Sequence, residues 1–221
     1  MQYIEIKKSL WYEETKRLID ILFSFILIIV FFPVMIVVAI AIKLNTPGPI
    51  FADTPSRVGK NGKLFKMYKF RSMVKNAHEL LREDPKFAKL YHDYKMGSYK
   101  LINDPRITKV GKFIRKHSLD EVPQFINVFR GEMSIVGPRA YYPDEIKEQQ
   151  QNYPQTKEAV KIVLSIKPGL TGFWQVSGRS EIHFDKRIQM DAEYVKKRSI
   201  IYDLKIIAKT PWAMVSGKGA R

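Results

Sequence analysis

A small α+β domain, mostly helical and resting on a membrane, is the fold class this sequence predicts. Three observations carry that expectation. Residues 21–42, ILFSFILIIVFFPVMIVVAIAI, form an uncharged apolar run between Asp20 and Lys43. Asn61-Gly62 stands beside alternating apolar residues, Leu64, Phe65, Met67, Tyr68 and Phe70, as a short β-hairpin requires. Most of the remaining chain reads as short amphipathic helices punctuated by glycine and proline.

The apolar run, as a helix, would reach about 33 Å, the thickness of a hydrocarbon core. It is too long for a signal peptide, and no small-residue cleavage site follows it. A single spanning helix is the plain reading, but two features favour a re-entrant one. Pro33 lies near the middle, where it removes a backbone hydrogen bond and kinks a helix. Basic residues flank both ends: Lys7, Lys8, Lys16 and Arg17 before, then Lys43, Arg57, Lys60, Lys63, Lys66, Lys69 and Arg71 after. Cytoplasmic flanks are the ones enriched in lysine and arginine, so a helix-break-helix entering and leaving through one leaflet satisfies both ends. The expected division is a membrane segment over residues 1–44 and a cytoplasmic domain over 45–221.

Composition narrows the function classes. With 45% hydrophobic and 12% aromatic residues the chain can build a core, so disorder is a poor default. It has no cysteine, which removes disulfides, zinc–thiolate sites and thiol nucleophiles. The histidines, His78, His92, His117 and His183, show no metal-binding spacing. An excess of 38 Lys+Arg over 22 Asp+Glu gives a formal charge of +16 and points to polyanionic partners: nucleic acid, anionic headgroups or phosphorylated substrates.

After the membrane run, NTPGPIF (Asn45–Phe51) reads as an exit turn, and residues 74–96 as a solvated helix. Ile107, Val110 and Ile114 share one helical face, and DEVPQFINVFRG reads as a second short helix stopped by Gly131. MSIVG reads as a buried strand, and PGLTGFWQVSG as a turn followed by another short strand. IIYDLKIIAKTPWAMV fits a core helix or an interfacial one, and Trp212 favours the interface.

Within RKHSLDEVPQFINVFRGEMSIVGPRA two acids, Asp120 and Glu121, adjoin in a very basic chain. Ser118-x-x-Glu121 matches a capping box, which would set both acids in the first turn of a helix, with Pro123 tolerated there. That position also favours phosphate, because unpaired amides and the helix dipole attract anions. Arg115, Arg139 and Arg179 lie nearby in the motifs, and guanidinium forks match phosphate oxygens. An aspartate can attack phosphorus, and a neighbouring glutamate can hold Mg²⁺.

RITKVGKFIRKHSLDEVPQFINVFRGEMSIVGPR, with YKFRSM and KPGLTGFWQVSGR, resembles the bacterial polyprenyl-phosphate sugar-1-phosphate transferases, the monotopic phosphoglycosyl transferases, from about residue 14 to the end. The resemblance implies that Asp120 is the nucleophile and Glu121 its Mg²⁺-binding partner. Asp120 would attack the sugar-bearing phosphate of a UDP-sugar, release UMP and hold the phosphosugar covalently. Undecaprenyl phosphate in the cytoplasmic leaflet of the bacterial inner membrane would then accept it, as the first step of a polysaccharide or glycoconjugate pathway. Lys69, Arg115, Arg139, Arg179 and Asp191 match the family's polar site positions and are expected to contact phosphate or nucleotide. A re-entrant membrane helix is implied too. Larger members carry further membrane helices and a soluble domain ahead of this module, so the sequence is expected to be a compact member or the catalytic part alone. The tail SGKGAR is similar to that of larger members that use hexoses, which favours UDP-glucose or UDP-galactose. Homodimerisation is left open. Two departures stand out: Phe32-Pro33 replaces the family's Ser-Pro, and Pro138-Arg139-Ala140 replaces Pro-Arg-Pro.

Plainer readings compete at several positions. Lys69 and Arg71 would point to solvent from a strand, Trp174 would fill core, and Asp191 would pair with Lys196 or Arg187. Two other functions fit part of the sequence. A membrane-bound glycosyl transferase would release UDP. A non-enzymatic basic membrane-surface adaptor or nucleic-acid binder would account for the charge but not for the paired acids, so no nucleic acid is expected as partner.

Overall fold

The computed structural model of the chain describes residues 6, 8–96, 99, 101, 103–178 and 182–215. In chain order the elements are α1 (Leu10–Asn45), β1 (Arg57–Val58), β2 (Leu64–Phe65), α2 (Ala77–Glu83), α3 (Ala88–Met96), α4 (Lys109–Lys116) and α5 (Gln124–Arg130). Then come β3 (Ser134–Val136), α6 (Pro143–Asn152), α7 (Lys157–Val163), β4 (Gly169–Thr171), α8 (Phe173–Ser177), α9 (Phe184–Lys197) and α10 (Ile200–Val215). The mostly helical α+β character is as expected. Two compact units form, one from the chain up to Ser24, Ser56–Phe65 and Val128 onward, the other from Phe25–Pro55 and Lys66–Asn127.

Among the described residues α1 is the one helix long and apolar enough to cross a membrane. Its apolar side chains, among them Leu22, Ile29, Val30 and Val37, stay exposed, a surface that water does not tolerate over such a length. The helix does not break at Pro33, contrary to the helix-break-helix expectation; it continues as α-helix through that residue. A proline in an apolar helix costs one hydrogen bond, which surrounding packing can sustain. Phe31 lies 6.1 Å from the Phe125 ring, and beyond Pro33 the side chains of Met35, Val38, Ala39 and Ile42 pack with Phe70 and Ile114.

In the first unit the start of α1 is fastened by polar contacts. Lys16 Nζ and the Tyr12 hydroxyl donate to Asp203 at 2.6 and 3.3 Å, and Tyr194 donates to the same carboxylate at 2.7 Å. Buried Asp20 accepts from the Ser134 hydroxyl and the Ile135 amide at 3.0 and 2.9 Å. Arg17 donates to the Val128 and Phe129 carbonyls, each at 2.8 Å. The hairpin forms as expected, with β1 and β2 antiparallel and Asn61 in the left-handed conformation that an Asn-Gly turn demands.

Strands β3 and β4 pair in parallel, Ser134 against Gly169 and Val136 against Thr171. The strand expected within PGLTGFWQVSG is therefore Gly169–Thr171, whereas Phe173–Ser177 is helical; Gly172 precedes it in extended backbone and lets the chain turn into α8. Trp174 is buried, as its core reading requires. Val160, Ile188, Val195 and Ile206 build the core around it, while Ile201, Leu204 and Trp212 leave an exposed apolar face on α10.

In the second unit Val38, Ile42, Phe70 and Ile114 form the core. The stretch expected as one polar helix over residues 74–96 is α2 and α3, separated by Asp84 and the 3₁₀ turn Pro85–Phe87. Thr108 caps α4 by accepting from the Gly111 amide at 2.9 Å.

Close backbone approach fixes the parallel pair in the first unit. A Cβ on Gly169 would stand 2.0 Å from the Gly137 amide and 2.4 Å from the Thr171 carbonyl, and neither backbone atom can swing aside. Gly169→Ala should therefore destabilise the protein by about 3 kcal/mol or more, read as a lowered thermal midpoint in detergent. A midpoint unchanged from the parent would contradict the close packing.

Candidate active site

In the second unit the two acids lie in a 3₁₀ turn, Leu119–Glu121, one step ahead of α5. The capping-box expectation fails here. Ser118 has φ 54°, a left-handed conformation, and its hydroxyl caps nothing, because a capping serine needs extended backbone to aim at the following amides. Asp120 and Glu121 do stand in the first turn of a helix as expected, but it is the short 3₁₀ helix Leu119–Glu121 ahead of α5, and no serine cap holds it.

Asp120 is 3% exposed, and Lys69 Nζ stands 2.9 Å from its Oδ2 and 3.2 Å from Glu121 Oε1. The Phe70 amide donates to the Asp120 carbonyl at 2.9 Å, so backbone and side chain of adjacent residues grip the same aspartate. Burial pushes the Asp120 carboxyl above its ordinary range; the Lys69 ammonium opposes this, the Glu121 charge adds to it, and Arg115 pulls it back. Burial also works to lower the Lys69 pKa, but the Asp120 and Glu121 charges prevail and hold it above the usual lysine value. The solvated-face reading of Lys69 is set aside: its ammonium is mostly buried and shared by two carboxylates.

Asn127 was not singled out by sequence. It is fully buried, accepts from the Tyr68 amide and donates to the Lys66 carbonyl, each at 2.9 Å. It thereby holds the segment that presents Lys69. The signal for it was a lone amide on the apolar face of a helix, which needs a partner wherever it is buried. Arg71, expected to face solvent, is buried as well.

In the first unit Arg139 and Asp191 are brought together. Asp191 Oδ2 accepts from the Arg139 amide at 3.1 Å and from the Tyr141 hydroxyl at 3.3 Å; these, and not the Lys196 or Arg187 side chains, are its hydrogen-bond partners, although the Arg187 charge acts on it. Arg187 donates instead to Glu145 at 3.0 Å, and Arg139 Nε lies 3.8 Å from that same carboxylate. The Arg139 guanidinium sits 5.5 Å from the Trp174 ring, within cation–π range. Asp191 is fully buried, and burial raises its carboxyl to about 7 against the lowering pull of the Arg139 amide, Arg187 and Tyr141. Arg179 lies outside the described residues.

For Mg²⁺ the donor set has a definite character. Among the described residues no three His, Cys, Asp or Glu side chains cluster as a metal cage. Glu121, 46% exposed at its side chain, beside Asp120 provides the one or two carboxylates that Mg²⁺ takes when phosphate oxygens and water complete its shell. The residues fit a substrate-borne metal.

A half-exposed acid thus stands beside a buried acid–lysine pair, on a chain whose described residues include one long apolar helix. Comparison identifies the class: residues 11–217 match the model of the bacterial sugar transferase family, and the chain belongs to that family. It is 42% identical over 209 residues to the undecaprenyl-phosphate galactose phosphotransferase of Salmonella typhimurium, covering 93% of this chain and 41% of the relative. It is 38% identical over 206 residues to the exopolysaccharide production protein ExoY of Sinorhizobium fredii, covering 93% and 88%. The UDP-glucose:undecaprenyl-phosphate glucose-1-phosphate transferase of Escherichia coli is 39% identical over 211 residues, at 93% and 41%. The chain thus spans about two fifths of the longer relatives and nearly nine tenths of ExoY.

Two measurements check these geometries. A double-mutant cycle of Lys69→Met and Asp120→Asn should show a stability coupling of about 1–3 kcal/mol, whereas the solvated pair Lys66–Asp53, at 3.7 Å, should show almost none. For Asp191 the folded protein retains a proton that the unfolded chain releases above the ordinary aspartate value of 3.8. That stabilisation is complete at low pH and is lost as pH rises toward about 7. Asp191→Asn, which mimics the protonated form, should flatten the fall in thermal midpoint between about pH 4 and pH 7. A parent and variant with parallel pH profiles would contradict the buried, proton-retaining carboxyl.

Proposed function

We propose that this protein transfers a sugar-1-phosphate from a UDP-sugar to undecaprenyl phosphate at the cytoplasmic face of the bacterial inner membrane. The observation that carries the reading is the buried Asp120 carboxylate, paired with Lys69 and adjoining the open Glu121. An Asp120 oxygen attacks the sugar-bearing phosphorus, the bond to the bridging oxygen breaks, and UMP departs with that oxygen. The product on the enzyme is an aspartyl phosphosugar. An oxygen of the lipid phosphate then attacks the same phosphorus and Asp120 leaves as a carboxylate, giving a lipid diphosphate sugar.

Lys69 opposes the burial that raises the Asp120 carboxyl and so favours its ionised form, and it offers its ammonium to phosphoryl oxygen once the carboxylate charge is consumed. Mg²⁺, held by Glu121 and the substrate phosphates, would supply neutralisation of the diphosphate charge. Arg115, Arg139 and Arg179 are assigned to phosphate or nucleotide oxygens, and Asp191 to holding the Arg139 backbone. The names of the Salmonella and E. coli relatives support lipid-linked hexose phosphate as product, and that of ExoY supports exopolysaccharide synthesis. UDP-glucose or UDP-galactose is the favoured donor.

The same-leaflet arrangement of α1 has support from its ends. Lys16 and Asp20 are bonded to Asp203 and Ser134, and Val38 and Ile42 pack on Phe70 and Ile114. Both flanks carry lysine and arginine, as ends returned to the cytoplasmic side would, and among the described residues no second helix is apolar enough to cross a membrane. Since α1 is continuous through Pro33, such a re-entry would be made by an unbroken helix.

Nucleotide analysis separates this chemistry from the glycosyl transferase alternative: the account expects UMP, and UDP as sole nucleotide product would reject it. Asp120→Asn should lower turnover by at least about a thousandfold with membrane binding retained. Glu121→Gln should raise the Mg²⁺ needed for half-maximal rate; an unchanged Mg²⁺ titration would remove Glu121 as the metal ligand.

A further inference from the structure

In the second unit, Arg71 follows Lys69 by two residues, and its guanidinium is aimed at the turn where α1 ends. Nη1 donates to the Pro47 carbonyl at 2.6 Å and Nη2 to the Thr46 carbonyl at 2.7 Å. The residue is 4% exposed. A guanidinium leaves water only against strong partners, and a fork on two carbonyls at the negative end of a helix provides them. Gly48 completes the fit. Its φ is +126°, and a Cβ there would stand 2.6 Å from Arg71 Nη1.

The backbone repeats this link. The Arg71 amide donates to the Ile50 carbonyl and the Ala52 amide to the Lys69 carbonyl, both at 2.8 Å, while the Phe51 and Phe70 rings stack at 5.6 Å. On the other side of the same three residues, the Phe70 amide and the Lys69 ammonium hold Asp120. The end of the apolar helix and the carboxylate are thus joined through one three-residue segment, with Arg71 as its only side-chain fork on the exit turn among the described residues.

We propose that Arg71 is a positioning residue that sets the height of the Asp120 carboxylate relative to the point where α1 leaves the membrane. This rests on the proposed two-step transfer. A UDP-sugar is soluble and reaches the carboxylate at any height. A phosphate on a polyprenyl chain is confined to the headgroup plane, so only the second step depends on that height. The contacts among Lys69, Asp120 and Glu121 do not pass through Arg71, so the first step is insulated from its loss.

Arg71→Lys keeps the charge and removes the fork. In lipid nanodiscs, UMP release from UDP-sugar alone should stay within about twofold of the parent. Transfer to a long polyprenyl phosphate in the same disc should fall by about tenfold or more, and a short-chain polyprenyl phosphate in detergent should recover most of it. Gly48→Ala should give the same split. Equal losses in both steps, or none in either, would overturn the assignment. Because the chain lacks cysteine, a nitroxide on Lys116→Cys reports membrane depth from a single site. Arg71→Lys should shift that depth, and an unchanged depth would also overturn the assignment. Should the parent release no UMP from donor alone, the functional reading fails, while the depth measurement still decides the role of Arg71.

Discussion

A carboxylate kept from water requires a cation, and the pairing of Asp120 with Lys69 is the contact on which the second unit depends. Without Lys69 the aspartate would take up a proton and lose its nucleophilicity; without Asp120 and Glu121 the ammonium would itself be stranded. The surrounding contacts make sense as devices that fix this pair. Asn127 grips the backbone at Lys66 and Tyr68, the Phe70 amide grips Asp120, and the core of Val38, Ile42 and Ile114 packs behind Phe70. The two charged partners come from segments far apart in sequence, and neither can drift without disturbing a buried neighbour.

The first unit solves a related problem with different means. Arg187, Arg139 and Glu145 are drawn together among the Tyr141 and Trp174 rings, where each charge lies close to an opposite charge or an aromatic face. Asp191 spends its hydrogen bonds on the Arg139 amide and Tyr141, which sets the backbone of the Gly137–Ala140 segment. An arginine so restrained would have less conformational freedom to lose on binding an anion. The parallel β3–β4 pair anchors that segment at its start.

Much of this was legible in the sequence because it depends on local chemistry. The Asn-Gly hairpin, the Gly131 stop after α5 and the buried MSIVG strand are fixed by turn geometry and apolar pattern. The apolar run announced α1 directly. What the sequence did not disclose was the partner of each buried polar group. Arg71 and Lys69 alternate with apolar residues exactly as a solvated strand edge would, and only tertiary contacts show that both side chains turn inward. Ser118 satisfied the capping pattern by residue type but not by backbone conformation, which the pattern does not encode. The short helix over Phe173–Ser177 was masked by its aromatic and β-branched residues, which favour strands until packing on Trp174 decides otherwise. Pro33 illustrates the opposite error: its local cost is real, but tertiary contacts on both sides of it carry the helix through.

The account as a whole turns on whether an Asp120 oxygen becomes bonded to phosphorus. The most direct measurement is intact-mass analysis of protein rapidly quenched in acid after exposure to the UDP-hexose alone, followed by peptide mapping. The prediction is one added hexose phosphate per chain on the peptide bearing Asp120, discharged when polyprenyl phosphate is supplied. Rapid turnover with an unmodified Asp120 peptide, or an adduct mapping to another residue, would contradict it.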